Sequence, residues 1–344
     1  MGAPHLLARH TPVLVDHHQL RRTPSVDRAL VVVSFLLGLI HAWMGRSSMN
    51  PDGISYLDVG DAFVRHDWAV AVNGWWSPLY TLGVVVNVFK PTPRWEFALV
   101  QATNFAIFVL ALFAFRFFLR SLLTFIQAGS ENFDELKCLP VWCIELIAYA
   151  MFLWISLEVL TIYDVSPDLA VSACIYLTTG ALLRLRLYPT LSGATILGAS
   201  LGIGYWTKTI LLPFGVMSLC FAFLWARDGH WRKRLAQAAL IFACLSAPLI
   251  VSLSLEKSRF TFGDSGRVNY AWAMSDVGTR NWQGEIPWVP VHQFIRPGSS
   301  SDNPQYLSSM VQSWALIFHG RIRRIGTKAC AYTSSLCLKR GYWR

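Results

Sequence analysis

The sequence predicts an all-α transmembrane fold, a polytopic helical bundle of about seven full crossings plus a short re-entrant or interfacial segment and an external loop helix. Three observations carry that expectation. Hydrophobic residues make up 54% of the chain and charged ones only 15%, with a mean hydropathy of +0.40. Soluble domains carry about a quarter charged residues, so the deficit is large. Apolar runs recur at about the length a helix needs to cross ~30 Å of hydrocarbon. Basic residues gather at the ends of these runs, as in loops retained on the cytoplasmic side of a membrane.

The same clustering accounts for the net charge of +10 and speaks against a nucleic-acid partner. Fifteen Trp and 21 Phe add rings of the kind that gather at membrane–water boundaries. Cys174, Cys220 and Cys244 lie inside apolar runs, and the pairs Cys138/Cys143 and Cys330/Cys337 lack metal-ligand spacing. They read as small buried hydrophobes. The His residues are dispersed, with His17/His18 in the polar N-terminal arm, so no metal site and no cofactor is indicated; a divalent metal has no residue pattern in its support.

The elements follow in order. Residues 1–28 read as a cytoplasmic N-terminal arm without a cleavable signal, because polar and mixed residues precede the first apolar run. Arg9, Arg21, Arg22 and Arg28 place the start of the first run, Ala29–Met44, on the cytoplasmic side. Six more runs are expected to cross: Glu96–Leu119, Leu139–Leu160, Asp168–Leu187, Thr190–Trp206, Thr209–Ala226 and Leu235–Leu255. Pro78–Phe89 is too short to cross readily. If it dips in and returns, Arg116, Arg120, Lys137, Arg184, Arg186, Arg227, Arg232, Lys233 and Arg234 all fall on one side. The charge bias favours that version. It puts the loop from Gly45 to Pro78, the turn around Asp164–Asp168 and the polar region Glu256–Ser309 together on the non-cytoplasmic face of a multi-pass plasma-membrane protein. Residues 29–255 thus form the transmembrane domain, and 256–344 an external loop region with a basic tail. Met310–His319 is too short to cross, and the basic tail after it falls on the wrong side. A tail lying along the membrane surface and a shortened form of a longer chain both remain open.

The first external loop, Asn50–Trp68, reads as an interfacial helix from Ile54. Tyr56, Val59 and Phe63 fall on one side and Asp58, Asp61 and Arg65 on the other, a pattern that suits a solvated face more than catalysis. Asp52 precedes it in a Pro-Asp-Gly turn, where the backbone holds a carboxylate in a fixed direction. Tyr163, Asp164 and Asp168 stand where the Asp168–Leu187 run begins; Pro167 and Asp168 fit helix capping equally well. Lys208 lies in a tight turn between two apolar runs on the external side, against the charge bias, with an anionic partner and lipid snorkelling as the competing reasons. Two separated carboxylates and a cation near one bilayer surface suit transfer of a group from a lipid-phosphate donor. A carboxylate takes the acceptor's proton and a cation holds the departing phosphate.

At these residues the chain resembles the membrane-embedded glycosyltransferases of the GT-C superfold, above all the aminoarabinose transferases of lipid A and the protein O-mannosyltransferases. Their first loop reads Pro-Asp-Glu-x-x-Tyr, a short helix, Gly-Asp-Trp and a Pro-led apolar run. The counterpart is Pro51-Asp52-Gly53-Ile54-Ser55-Tyr56, then His66-Asp67-Trp68, then Trp76-Ser77-Pro78-Leu79-Tyr80. A second Asp opening a later helix resembles Asp168, and a Gly-rich helix ending in Thr-Lys resembles Gly198 through Gly202, Gly204, Thr207 and Lys208. The resemblance spans residues 29–255. It implies a polyprenyl-phosphate-linked sugar as donor, an inverting transfer, and a glycan, lipid or protein acceptor among membrane lipids. Asp52 is then the base, Asp168 shapes the catalytic site, and Lys208, Tyr56, Asp58 and Asp164 are the candidate substrate-binding residues. Gly53 departs from the family's acidic residue, which weakens a metal role there. A transporter, or a non-catalytic membrane protein of the same fold, are the alternative readings.

Overall fold

The computed structural model describes residues 24–76, 78–81, 95–128, 140–226 and 229–266. Most of the N-terminal arm, most of the short run Pro78–Phe89, Cys138, the pair Cys330/Cys337 and the basic C-terminal tail lie outside the described residues. Every regular element among the described residues is helical. They are α1 (Pro24–Met44), α2 (Pro51–Val64), α3 (Trp68–Ala71), α4 (Glu96–Ala128), α5 (Val141–Leu153), α6 (Asp168–Leu187), α7 (Leu191–Thr207), α8 (Leu211–Trp225) and α9 (Gly229–Glu256). A π-helical turn, Trp154–Val159, continues α5 and closes with the Leu160 amide donating to the Ile155 carbonyl at 2.8 Å.

Seven of these helices coincide with the seven apolar runs, and five of them are long and apolar enough to cross a membrane: α1, α4, α5 with its π turn, α6 and α9. Helices α7 and α8, of 17 and 15 residues, are shorter. The chain is therefore a multi-pass helical membrane protein. Several helices outrun their apolar runs because capping and polar turns extend them. Pro24 and Asp27 begin α1 ahead of Ala29, the basic segment from Gly229 adds turns to α9, and α4 continues nine residues past Leu119 to Ala128. At about 1.5 Å per residue α4 is about 50 Å long, well beyond the hydrocarbon thickness.

Two apolar cores share one helix. The first joins α1, α4, α5 and the N-terminal half of α6 around stacked rings, with Phe115 on Phe152 at 4.7 Å between centroids and Tyr176 edge-on to Phe115. The second joins the C-terminal half of α6 to α7, α8 and α9. Glycine sets the closest approach there: a Cβ on Gly198 would stand 2.5 Å from the Ala238 carbonyl oxygen, so α7 and α9 touch backbone to backbone. The Trp206 indole donates to the Leu245 carbonyl at 2.7 Å, one turn before Pro248 in α9. Large apolar side chains face outward, Leu110 at 64% and Leu224 at 86% exposure, as lipid contact requires.

The main helices alternate in direction, so their ends sort into two groups. The end of α1, the start of α4, the end of the π turn and the start of α6 meet through Gln101, whose side chain bonds both Ser48 and Tyr163. Residues 78–81 join the same end, since the Leu79 amide donates to the Trp206 carbonyl at 3.2 Å. The chain thus leaves α1 and enters α4 at one end, the arrangement that the charge bias favours. Among the described residues this end carries ten carboxylates and five Lys/Arg, whereas the opposite end carries eight Lys/Arg and two carboxylates.

One of those two carboxylates fastens the basic end. Asp27, with a side-chain exposure of 7%, accepts from Arg116 at 2.5 Å, Arg120 at 2.6 Å and the Tyr149 hydroxyl at 3.3 Å. Helices α1, α4 and α5 are thereby tied at one point. Removing the carboxylate leaves Arg116 half-buried without its counter-charge, a loss worth about 3 kcal/mol in comparable sites. Asp27→Ala is expected to lower the thermal unfolding midpoint in detergent far more than Arg28→Ala. Equal midpoints for the two variants would contradict the tie.

Candidate active site

The acidic end is assembled by amides inside α4. Gln101 and Asn104, one turn apart and 2% and 3% exposed, face away from lipid. Gln101 donates to the carbonyls of Ser48 and Tyr163, each at 3.1 Å. Asn104 donates to Ile162 at 2.9 Å and accepts from the Tyr80 hydroxyl at 2.7 Å. Three separate segments, 45–50, 159–165 and 78–81, are held against one helix face. Buried amides of this kind are costly unless bonded, and bonded they fix their partners.

Helix α2 begins at Pro51, earlier than the expected start at Ile54. Asn50 caps it, accepting from the Gly53 amide at 3.1 Å, and Pro51 occupies the first turn. The three residues read as a turn are thus a helix start, and Asp52 sits in its first turn. Asn50 also donates to the Val165 carbonyl at 3.4 Å, which brings this start against the loop before α6. A Cβ at Gly53 would lie 2.6 Å from the Met49 sulfur and 2.8 Å from Val165 Cβ. Close approach therefore demands glycine at 53, and the acidic residue of the related motif has no room.

Four of the expected site residues come together. Asp52 is exposed, yet burial on its inner side pushes its carboxyl above the usual carboxylate range. The charges of Asp164 and Asp168 raise it further, and Lys208 opposes the rise. Lys208 ends α7 in extended backbone and donates to Asp168 Oδ1 at 2.6 Å. The other Asp168 oxygen accepts from the Ser166 hydroxyl at 3.1 Å, and that hydroxyl accepts from the Asp168 amide at 3.3 Å. Both oxygens of Asp168 are thus engaged, and the carboxylate orients Lys208. Asp164 is exposed beside them.

The other two expected substrate contacts are set differently, Tyr56 buried among rings and Asp58 on another face of α2. Tyr56 is 5% exposed, its ring edge-on to Trp76 at 4.9 Å and to Tyr80 at 4.8 Å, so it forms the wall behind α2. Asp58 faces Asp61, Arg65 and Glu96, away from the Asp52 group. Its setting corrects the solvated-face expectation: Oδ2 is buried with no hydrogen-bond partner among the described residues. Burial, then Asp61 and Glu96, push the carboxyl up to about 7 against the pull of Arg65. The sequence reading missed Asn50, Gln101, Asn104 and Ser166. The signal for two of them was present, because amides at 101 and 104 in an apolar helix are expensive unless they have a task.

Among the described residues no group of three His, Cys, Asp or Glu is arranged to hold a metal ion. No family model, curated protein or solved structure matches the chain.

A carboxyl that is harder to ionise in the fold than in the unfolded chain stabilises the fold only while protonated. Asp58 therefore favours the native state below its unfolded value near 4, and that contribution fades as pH rises through about 7. Asp58→Asn is expected to stabilise the protein at pH 8 by on the order of 1–2 kcal/mol, after discounting for solvent, and to have little effect at pH 4. Thermal melts of the two proteins at both pH values test this; identical differences at pH 4 and 8 would contradict it.

Proposed function

We propose that this chain is an integral-membrane, inverting glycosyltransferase that moves a sugar from a polyprenyl-phosphate donor to an acceptor hydroxyl on a glycan, lipid or protein. The observation that carries the reading is the convergence of Asp52, Asp164, Asp168 and Lys208 at one end of the bundle, from three segments far apart in sequence. The site lies where apolar helices give way to polar loops, the level at which a lipid-linked phosphate presents its sugar.

The chemistry follows from the side chains. Asp52 accepts the proton of the acceptor hydroxyl while the hydroxyl oxygen bonds to the anomeric carbon from the face opposite the phosphate. The bond from that carbon to the phosphate oxygen breaks, and the polyprenyl phosphate leaves with the electron pair. A carboxyl raised above the ordinary range is a stronger base than a free aspartate. Lys208 has three ammonium donors and spends one on Asp168, leaving donors for the departing phosphate. Asp168 and Ser166 hold that ammonium in place.

In this reading the seven helices that match the apolar runs all cross a plasma membrane in a GT-C-like bundle, with the N-terminus cytoplasmic and the Asp52 site outside. The excess of Lys/Arg at the end opposite the site supports that orientation.

Asp52→Asn is expected to reduce sugar transfer in membranes at least about a hundredfold, the scale of a lost general base, while leaving the folded protein in place. Wild-type transfer should fall as pH drops through the raised value of Asp52, because protonation removes the base. Lys208→Gln removes the one neighbour that lowers Asp52, so its acid limb should move to higher pH. Transfer by folded Asp52→Asn at the wild-type rate, measured with radiolabelled polyprenyl-phosphate sugars, would refute the assignment.

A further inference from the structure

The end of the bundle opposite Asp52 carries a second built surface. Helices α6 and α7 are joined there by a hairpin whose corner is 188–190, and α9 packs its first turns against it. Arg186, in the last turn of α6, lies over the indole of Trp231 with its guanidinium carbon 5.0 Å from the ring centroid. Trp231 is itself 3% exposed, so the ring is a fixed platform. Arg234, one turn further along α9, donates to the Pro189 carbonyl at 3.2 Å and to Gln237 at 2.7 Å. Two planar cations are thus pinned at this corner, Arg186 on the Trp231 ring and Arg234 on the Pro189 carbonyl. Among the described residues neither pairs with a carboxylate.

Among the described residues the two acidic side chains at this end are both buried: Asp27 is engaged by Arg116 and Arg120, and Glu145 is 1% exposed inside α5. The exposed neighbours of the two arginines are cationic, apolar or, at Thr190 and Ser192, neutral hydroxyls. Arg232 and Lys233 extend the positive field, while Tyr188 and Leu191 stand 59% and 56% exposed on the hairpin. A soluble anion would satisfy the guanidiniums and leave that apolar surface in water. An amphiphile with a phosphate at its polar end covers both.

We infer that the α6–α7 hairpin and the first turns of α9 bind the phosphate headgroup of an anionic phospholipid, with Arg186 and Arg234 as the phosphate ligands and Tyr188 and Leu191 against the acyl chains. Arginine suits the role because its fork matches phosphate oxygens and keeps N–H edges free while its face stacks on a ring. The site is independent of the sugar-transfer reading, since it lies at the other end of the molecule.

The test uses the full chain in nanodiscs of phosphatidylcholine doped with phosphatidylglycerol, followed by native mass spectrometry of the released protein. Wild type is expected to retain phosphatidylglycerol over phosphatidylcholine, and each of Arg186→Gln and Arg234→Gln to lower that retention roughly fivefold, the scale of one cation at a membrane surface. Tyr188→Ser separates lipid from free phosphate. It should weaken phosphatidylglycerol retention if acyl contact contributes, whereas an effect on inorganic phosphate alone would reassign the surface to a soluble anion. Arg186→Lys, which keeps the charge, serves as the check on folding, and it should retain more lipid than Arg186→Gln. Equal retention of both lipids by wild type, or unchanged retention in both glutamine variants, would overturn the inference.

Discussion

Two buried amides on α4 decide what the acidic end of this protein is. Three of the segments that build that end are fastened to α4 through Gln101 and Asn104, whose partners are backbone carbonyls and one tyrosine hydroxyl. Apolar packing cannot do this job. A loop carries polar backbone groups that must find partners wherever water is scarce, and side-chain amides supply both donor and acceptor. Asn50 repeats the device one layer out by joining the start of α2 to Val165. The carboxylates and Lys208 are then positioned by elements that are themselves fixed by hydrogen bonds.

The two ends of the bundle solve opposite electrostatic problems. At the basic end the arginines are each given a fixed partner: Arg116 and Arg120 share Asp27, Arg184 lies over Phe117, Arg186 over Trp231, and Arg234 bonds a backbone carbonyl. At the acidic end the carboxylates are allowed to crowd, and burial together with that crowding alters the protonation of Asp52 and Asp58. Asp52 and Asp58 both sit above the ordinary carboxylate range, but for unlike neighbours. Around Asp52 a lysine limits the rise. Around Asp58 an exposed arginine does so less well.

The helices were legible in the sequence because crossing a membrane demands long apolar runs, and that demand leaves little freedom. Asp168–Leu187 has the same bounds in sequence and structure because Pro167 and the cations Arg184 and Arg186 mark both ends. The start of α2 was misjudged by three residues, since Pro51-Asp52-Gly53 carries the chemistry of a turn and of a helix cap alike. Convergence of Asp52, Asp164, Asp168 and Lys208 could be suspected from topology alone. The fates of Tyr56 and Asp58 could not, because a single helix pattern shows which residues share a face and not what covers that face. Burial by Trp76 and Tyr80 is a long-range fact.

The π turn at Trp154–Val159 has a consequence for register. One residue more than an α-helix needs in that turn rotates everything after it by about 100° relative to the preceding helix. With the extra residue, Ile162 and Val165 are both fully buried while Tyr163 and Asp164 look outward. Non-helical backbone follows the π turn at once, and Thr161 bends the chain with a φ of 51° before Ile162 turns inward. The widened turn acts as a spacer one amino acid thick between a crossing helix and the loop that carries Asp164.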